Sequence, residues 1–240
     1  MFKGFNNKQQ NGFPNLNFQG DRSAYGFSGV YFWLDAAFGL NTQTNLGAVS
    51  RWQPIIGRSA FEQGTAGNQP RFILNDANYN NLPSVEAQDN VRSLIASFGL
   101  NLSGQFTVAI VSKVNNPRTM NGIIGVSSGS AFGIHDGGSG TGFNGFGFAV
   151  NNVASFQGTT ESTNTRIKVI SSYSVVVNGV EENTNAGFFQ FIEYPRLFNI
   201  GGNTENLNGS IAEIVAYNFA MTSAQCQSLS NNLNTKYAIY

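Results

Sequence analysis

The chain has 240 residues, and its 13 basic residues balance its 13 acidic ones at a charged fraction of only 11%. No excess of positive charge is available to hold nucleic acid or an anionic membrane surface. His135 is the single histidine and Cys226 the single cysteine, which excludes an intrachain disulfide and argues against a zinc site built on those residue types.

Polarity comes instead from uncharged Asn, Gln, Ser and Thr, while 28 Gly and 21 Phe supply turns and core. That mixture suits many short strands joined by turns. A chain of this length can bury a full core as one large all-β domain. The expected division is an extended N-terminal arm over residues 1–28 and a single domain over 29–240. With no signal-peptide core and no run long enough to span a bilayer, the product is expected to be made soluble in the cytoplasm.

In chain order, the arm alternates Phe2, Phe5, Phe13 and Phe18 with Gly, Asn and Gln at neither helical nor strand period, and its aromatics are expected to insert into a neighbouring protein. "VYFWLDA" from Val30 reads as the first strand, with Trp33 in the core and Asp35 fixing the turn that follows. "FTVAIVSKV", Phe106 to Val114, has the β-branched and aromatic content of a strand buried on both faces. "HDGGSGTGFNGFG", His135 to Gly147, reads as a long hairpin loop. Asn178-Gly179 between valines is a strong hairpin signal, and "AGFFQFIEY" and "RLFNIGG" add strand-like segments, the latter punctuated by Gly201-Gly202. "GSIAEIVAY" carries Glu213 in an apolar run, with Ile211 and Val215 expected on its face of the strand. One helix follows. Thr222 and Gln225 form a capping box, Met221 and Cys226 a hydrophobic staple, and Cys226, Leu229, Leu233 and Tyr237 fall on one face.

The order of several phrases resembles a known family. "FWLDA" (Phe32 to Ala36), Trp52 in "SRWQP", "NQPRFI" with "NNLPSVEA", "FTVAIVSK", "VVVNGVE", "LFNIGG" and the closing "NGSIAEIVAYNFAMTSAQCQSLSNNLNTKY" are similar to laminin G-like, concanavalin A-like jelly-roll domains. Such domains occur in bacterial surface proteins and phage particles. The resemblance implies two antiparallel sheets packed face to face in a jelly-roll sandwich, with a short helix after the last long strand. It also implies that Glu213 belongs to the framework of the fold.

A glycosidase needs two carboxyl groups flanking the scissile bond, which on one strand calls for acids at i and i+2 or i+4. No strand segment supplies them: Glu181 and Glu182 are adjacent and point opposite ways, and Glu213 is expected to accept hydrogen bonds from a neighbouring strand, loop or arginine. His135-Asp136 could open a catalytic dyad, but no serine sits in a nucleophile elbow. No catalytic residue and no resident cofactor or metal are therefore expected. The laminin G-like resemblance implies calcium as the ion the sandwich rim could take, through Asp136, Asn144 or Asp76, although no liganding sequence fixes them. For a ligand-binding face the candidates are Trp52 and Tyr79, which could stack on sugar rings, with Asp136 and Asn144.

The function expected is a non-enzymatic structural protein on the surface of a virion: a phage capsid decoration, head fibre or tail-attached subunit. It would be held to other virion proteins by its arm, display the sandwich toward proteins or host-surface glycans, and assemble as a homo-oligomer, with a trimer expected. The alternative is a lectin-like carbohydrate-binding module, and the third reading is a glycoside hydrolase whose acids are brought together from distant segments. Nucleic acid and membrane are not expected partners.

Overall fold

The structure, a computed structural model, describes residues 23–88, 92–97, 102–116, 121–125, 132–136, 145–150, 153–157, 163–184, 189–191, 195–198 and 207–240. The first strands are β1 (Val30–Asp35), β2 (Arg51–Trp52), β3 (Phe61–Glu62), β4 (Arg71–Asp76), β5 (Leu82–Ala87) and β6 (Leu94–Ala96). The middle of the chain gives β7 (Leu102–Gly104), β8 (Thr107–Val114), β9 (Asn121–Gly125), β10 (Phe132–Asp136), β11 (Phe146–Val150) and β12 (Val153–Gln157). The last are β13 (Arg166–Ser171), β14 (Val175–Val177), β15 (Val180–Asn183), β16 (Phe189–Phe191), β17 (Arg196–Leu197) and β18 (Gly209–Tyr217), followed by helix α1 (Ser223–Tyr237).

These strands build two antiparallel sheets that pack as a sandwich. One runs β15-β14-β13-β8-β18-β5-β4, with β1 also paired to β18; the other runs β12-β11-β10-β9-β17-β6-β3-β2. A separate pair joins β16 to β7. The core between the sheets takes Val108, Ile110, Ile211, Ile214 and Ala216 from the first and Phe61, Leu94, Ile124, Ile134, Phe146 and Leu197 from the second. A second apolar layer lies on the outer face of the first sheet, where Ala109, Val111, Ile167, Val169, Val215 and Tyr217 meet Cys226, Leu229, Leu233 and Tyr237 of α1. β8 and β18 are therefore covered on both faces, which explains their continuous apolar runs. Their backbones also approach closely at one end: a Cβ on Gly209 would stand 2.0 Å from the Lys113 carbonyl oxygen, so only glycine fits there.

Local signals hold where they were clearest. The Thr222 hydroxyl accepts from the Gln225 amide while the Gln225 side chain accepts from the Thr222 amide, and Met221 and Cys226 are both buried beneath that first turn. The chain turns between β14 and β15 at Asn178 (φ 49°) and Gly179 (φ 76°), the left-handed pair of a type I′ hairpin. The Gly179 amide donates to Ser230 Oγ at 3.0 Å, keying the hairpin to the helix.

Other expectations change. Trp33 is half-buried and packs on the outer layer, away from the core between the sheets. Residues 24–28, assigned above to the arm, are docked on the domain. Ala24 and Phe27 exchange backbone hydrogen bonds around Tyr25 and Gly26, the Tyr217 hydroxyl donates to the Ala24 carbonyl at 2.9 Å, and Asn232 donates to the Tyr25 carbonyl at 3.0 Å. Phe27 also meets the Tyr217 ring edge-on. Phe2, Phe5, Phe13 and Phe18 lie outside the described residues, as does Gly201-Gly202. No helix among the described residues is long and apolar enough to cross a membrane.

Two stability measurements check this reading. Removing residues 1–28 should leave the domain about 2 kcal/mol less stable than removing 1–22, measured by urea unfolding, because it strips a hydrogen-bond donor from a buried carboxylate. Equal midpoints for the two truncations would mean that the docked turn contributes nothing. Thr222→Ala should cost about 1 kcal/mol in the same assay, the usual effect of a lost N-cap.

Candidate functional site

Of the residues singled out for ligand binding, Trp52, Tyr79 and Asp136 are buried inside the domain. Trp52 is fully buried on β2, with its indole Nε1 donating to the Asp35 carbonyl at 3.3 Å. Tyr79 is fully buried at the end of a 3₁₀ turn, Ala77–Tyr79, where its hydroxyl donates to the Ser210 carbonyl at 2.9 Å and its ring stands edge-on to Tyr237. Burial raises the Tyr79 phenol well above its ordinary range. Neither ring offers a face to a sugar, because core packing and not solvent claims both. Asp76 caps the same turn, accepting from the Asn78 amide at 2.9 Å, Asn78 Nδ2 at 2.7 Å and Ser84 Oγ at 2.6 Å, so its oxygens are engaged internally. Asn144 lies outside the described residues.

Asp136 points from β10 into the core between the sheets, on the same strand face as Ile134. Arg166 and Lys168 come from β13 in the opposite sheet. Arg166 Nη2 lies 2.5 Å from Asp136 Oδ1, and the Lys168 ammonium pairs with Oδ2 and donates to Ser112 Oγ at 2.7 Å. Burial by itself would raise the Asp136 carboxyl, but the Lys168 and Arg166 charges outweigh it and hold it below the usual carboxylate range. Burial pushes Lys168 down to about 8, against the pull of Asp136. Two cations on its oxygens make Asp136 a poor calcium ligand. Its neighbour His135 is buried on the opposite strand face, so the two do not form a dyad.

Glu213 collects the polar groups of the outer layer. β18 carries a bulge between Ile211 and Glu213, which puts consecutive Ala212 and Glu213 on the outer face. Its same-face neighbours are therefore Ala212 and Val215, and Ile211 turns inward, contrary to simple alternation. Four donors surround the carboxylate: Tyr25 hydroxyl and Trp33 Nε1 on Oε1, both at 2.6 Å, and Lys236 Nζ and Tyr237 hydroxyl on Oε2, both at 2.7 Å. The cation is a lysine from the helix, a partner that sequence reasoning did not name. Asp35 lies directly across the strand pair, takes Lys236 Nζ at 2.5 Å, and accepts the Ala37 amide at 2.9 Å, which fixes the expected turn. Burial and the neighbouring Asp35 raise the Glu213 carboxyl against the pull of Lys236. Lys236 itself is held above its ordinary value, since the charges of Glu213 and Asp35 exceed its own burial penalty. Two carboxylates do converge here, from strands far apart in sequence. They are 1% and 4% exposed with an ammonium between them, so no sugar ring fits between them.

An open polar cleft of about 430 Å³ is lined by Asn78, Lys113, Asn115, Thr163, Asn164 and Thr165. Lys113 leaves the end of β8 on the outer face, two residues after Val111. Arg166 pairs with Ser112, so the residues leading into β13 arrive beside Lys113. Asn115 is held by Asn208 through Nδ2 to Oδ1 at 3.2 Å and amide to carbonyl at 2.8 Å. Across the cleft, Asn78 Oδ1 accepts from Lys113 Nζ at 2.9 Å. These six residues come from three separate stretches of chain, and no spacing in the sequence links them.

No protein-family model matches the chain, and no curated protein sequence matches it either. Solved structures do match at the level of fold. Domain 4 of AbnA, a GH43 extracellular arabinanase from Geobacillus stearothermophilus in complex with arabinotriose, is 15% identical with a TM-score of 0.57, over 85% of this chain and 100% of that domain. A Trypanosoma rangeli sialidase in complex with sialic acid is 14% identical with a TM-score of 0.56; 89% of this chain matches only 34% of the enzyme. The binding domain of Paraclostridial Mosquitocidal Protein 1 is 12% identical with a TM-score of 0.50, over 85% of this chain and 52% of that one. The protein is an antiparallel two-sheet β-sandwich with a C-terminal helix.

The buried ion cluster generates a prediction with an internal control. Asp136→Asn leaves two buried cations uncompensated and should cost about 3–5 kcal/mol, whereas Lys168→Met leaves a one-to-one pair and should cost about 1 kcal/mol or less. The native Lys168 value near 8 lies under its unfolded value of 10.5. The unfolded chain then binds the extra proton between those pH values, so stability should rise with pH across that window. Lys168→Met should flatten that rise; urea unfolding of the native protein and both variants from pH 6 to 10.5 measures these outcomes.

Proposed function

We propose that this protein is a carbohydrate-binding β-sandwich module with no catalytic activity of its own. The observation that carries the reading is the match to an entire arabinanase domain whose structure holds arabinotriose. The cleft supports it: amide and hydroxyl groups, which alternately donate and accept, are the complement of sugar hydroxyls. The absence of catalysis is supported by the commitments of Glu213, Asp35, Asp136 and Asp76, whose oxygens all accept from partners within the domain. The laminin G-like resemblance of the sequence phrases agrees with a display or binding role.

A virion surface subunit is the second reading, and the docked Ala24–Phe27 turn favours it. That turn fixes the point at which the Phe-bearing residues 1–22 join the domain, as a tether requires. The two readings are compatible in one molecule, since a displayed module can bind glycans.

The intact chain, applied to an array of plant, bacterial and animal oligosaccharides, should bind a defined subset saturably and release no reducing sugar from any of them. A blank array would overturn the binding reading, and reducing-sugar release that survives repurification would overturn its non-catalytic part.

A further inference from the structure

Lys113 is the one charged residue among the described residues that line the cleft. Of the three lysines among the described residues, Lys168 and Lys236 pair with carboxylates, whereas the side-chain partner of Lys113 is the neutral Asn78 Oδ1. None of the six cleft residues is acidic. Asp76 stands behind the Asn78 amide, whose Nδ2 donates to Asp76 Oδ1 at 2.7 Å while its Oδ1 takes Lys113; Ser84 Oγ and the Asn78 backbone amide also hold that carboxylate, so it forms no direct ion pair with the ammonium. An ammonium that has an amide for a partner gives up little when an anion replaces it, because the anion accepts the same hydrogen bond and adds the attraction of opposite charges. The hydroxyls of Thr163 and Thr165 and the amides of Asn115 and Asn164 lie around that charge, with no aromatic ring among the lining residues. Recognition in this cleft therefore proceeds by hydrogen bonds and charge and not by stacking.

Resting on the carbohydrate-binding reading, we infer that this cleft selects sugars that carry an anionic substituent, a carboxylate or a sulfate, with Lys113 as the group that reads the charge. Selection follows from desolvation as well as attraction. A neutral sugar that displaces the Asn78 contact leaves the ammonium with a weaker partner, so it gains less than an acidic sugar of the same shape. Cationic sugars are disfavoured by the same charge.

The test uses the full chain and matched probes: trigalacturonate, neutral galactotriose, a sulfated galactotriose, and acetate and sulfate ions alone. Trigalacturonate or the sulfated trisaccharide should bind about tenfold more tightly than galactotriose, with affinity that falls as salt rises. The two acidic probes separate carboxylate from sulfate, and binding by the simple ions at equal strength would overturn the inference, because no sugar would then be required. Lys113→Gln should remove the tenfold preference, so that acidic and neutral probes bind alike, and Lys113→Arg should restore it. Asn164→Ala, at an exposed position, should weaken acidic and neutral sugars together. Equal affinity for the neutral and acidic probes, or indifference to Lys113→Gln, overturns the inference while leaving the carbohydrate-binding reading intact. A blank result on the oligosaccharide array overturns both.

Discussion

A carboxylate buried on a central strand must be surrounded by donors, and Glu213 imposes that requirement on everything packed against the outer face of the main sheet. Its two oxygens bind Tyr25 from the N-terminal turn, Trp33 from β1, and Lys236 and Tyr237 from the end of the helix. Leaving such a group without partners would cost more than most single contacts in the domain contribute. The N-terminal turn, the first strand and the helix are thus held in one arrangement by one side chain. Asp35 extends the same network through Lys236 and fixes the turn leaving β1.

The core between the sheets carries the complementary case. Asp136 joins β10 to β13 across the sandwich through two cations, at a place where apolar side chains would serve stability as well. What the ion cluster adds is specificity of sheet against sheet, because a shifted packing would strand a charge. The two networks lie on opposite faces of the same sheet. Together they engage Glu213, Asp35 and Asp136 inside the domain, while the cleft beside Lys113 is an open polar surface among the described residues.

Much of the fold was legible because its signals are local. The capping box at Thr222, the staple of Met221 and Cys226, the apolar face of α1 and the Asn178-Gly179 hairpin all depend on residues within a few positions of one another. Strand runs such as Thr107–Val114 read correctly for the same reason, since burial on both faces leaves a continuous apolar stretch. Aromatic content misled at the site. Trp52 and Tyr79 were candidates for stacking, yet both fill interior space, while the half-buried Trp33 sits at the polar network. Composition cannot tell a ring that packs from a ring that binds.

By itself, the sequence determined the class of the fold, its one helix with both the cap and the buried face, and the absence of an intrachain disulfide, all properties of short segments and of residue counts. The tertiary structure decided that Ile211 turns away from the face of β18 that carries Glu213, since a single-residue bulge reverses the alternation that spacing would impose. It also decided that Lys236 would answer a carboxylate 23 positions away, and that residues 78, 113–115 and 163–165 would line one cleft. Those outcomes depend on strand pairing between distant parts of the chain, and pairing register is fixed by the packing of the whole sandwich and not by any stretch of it.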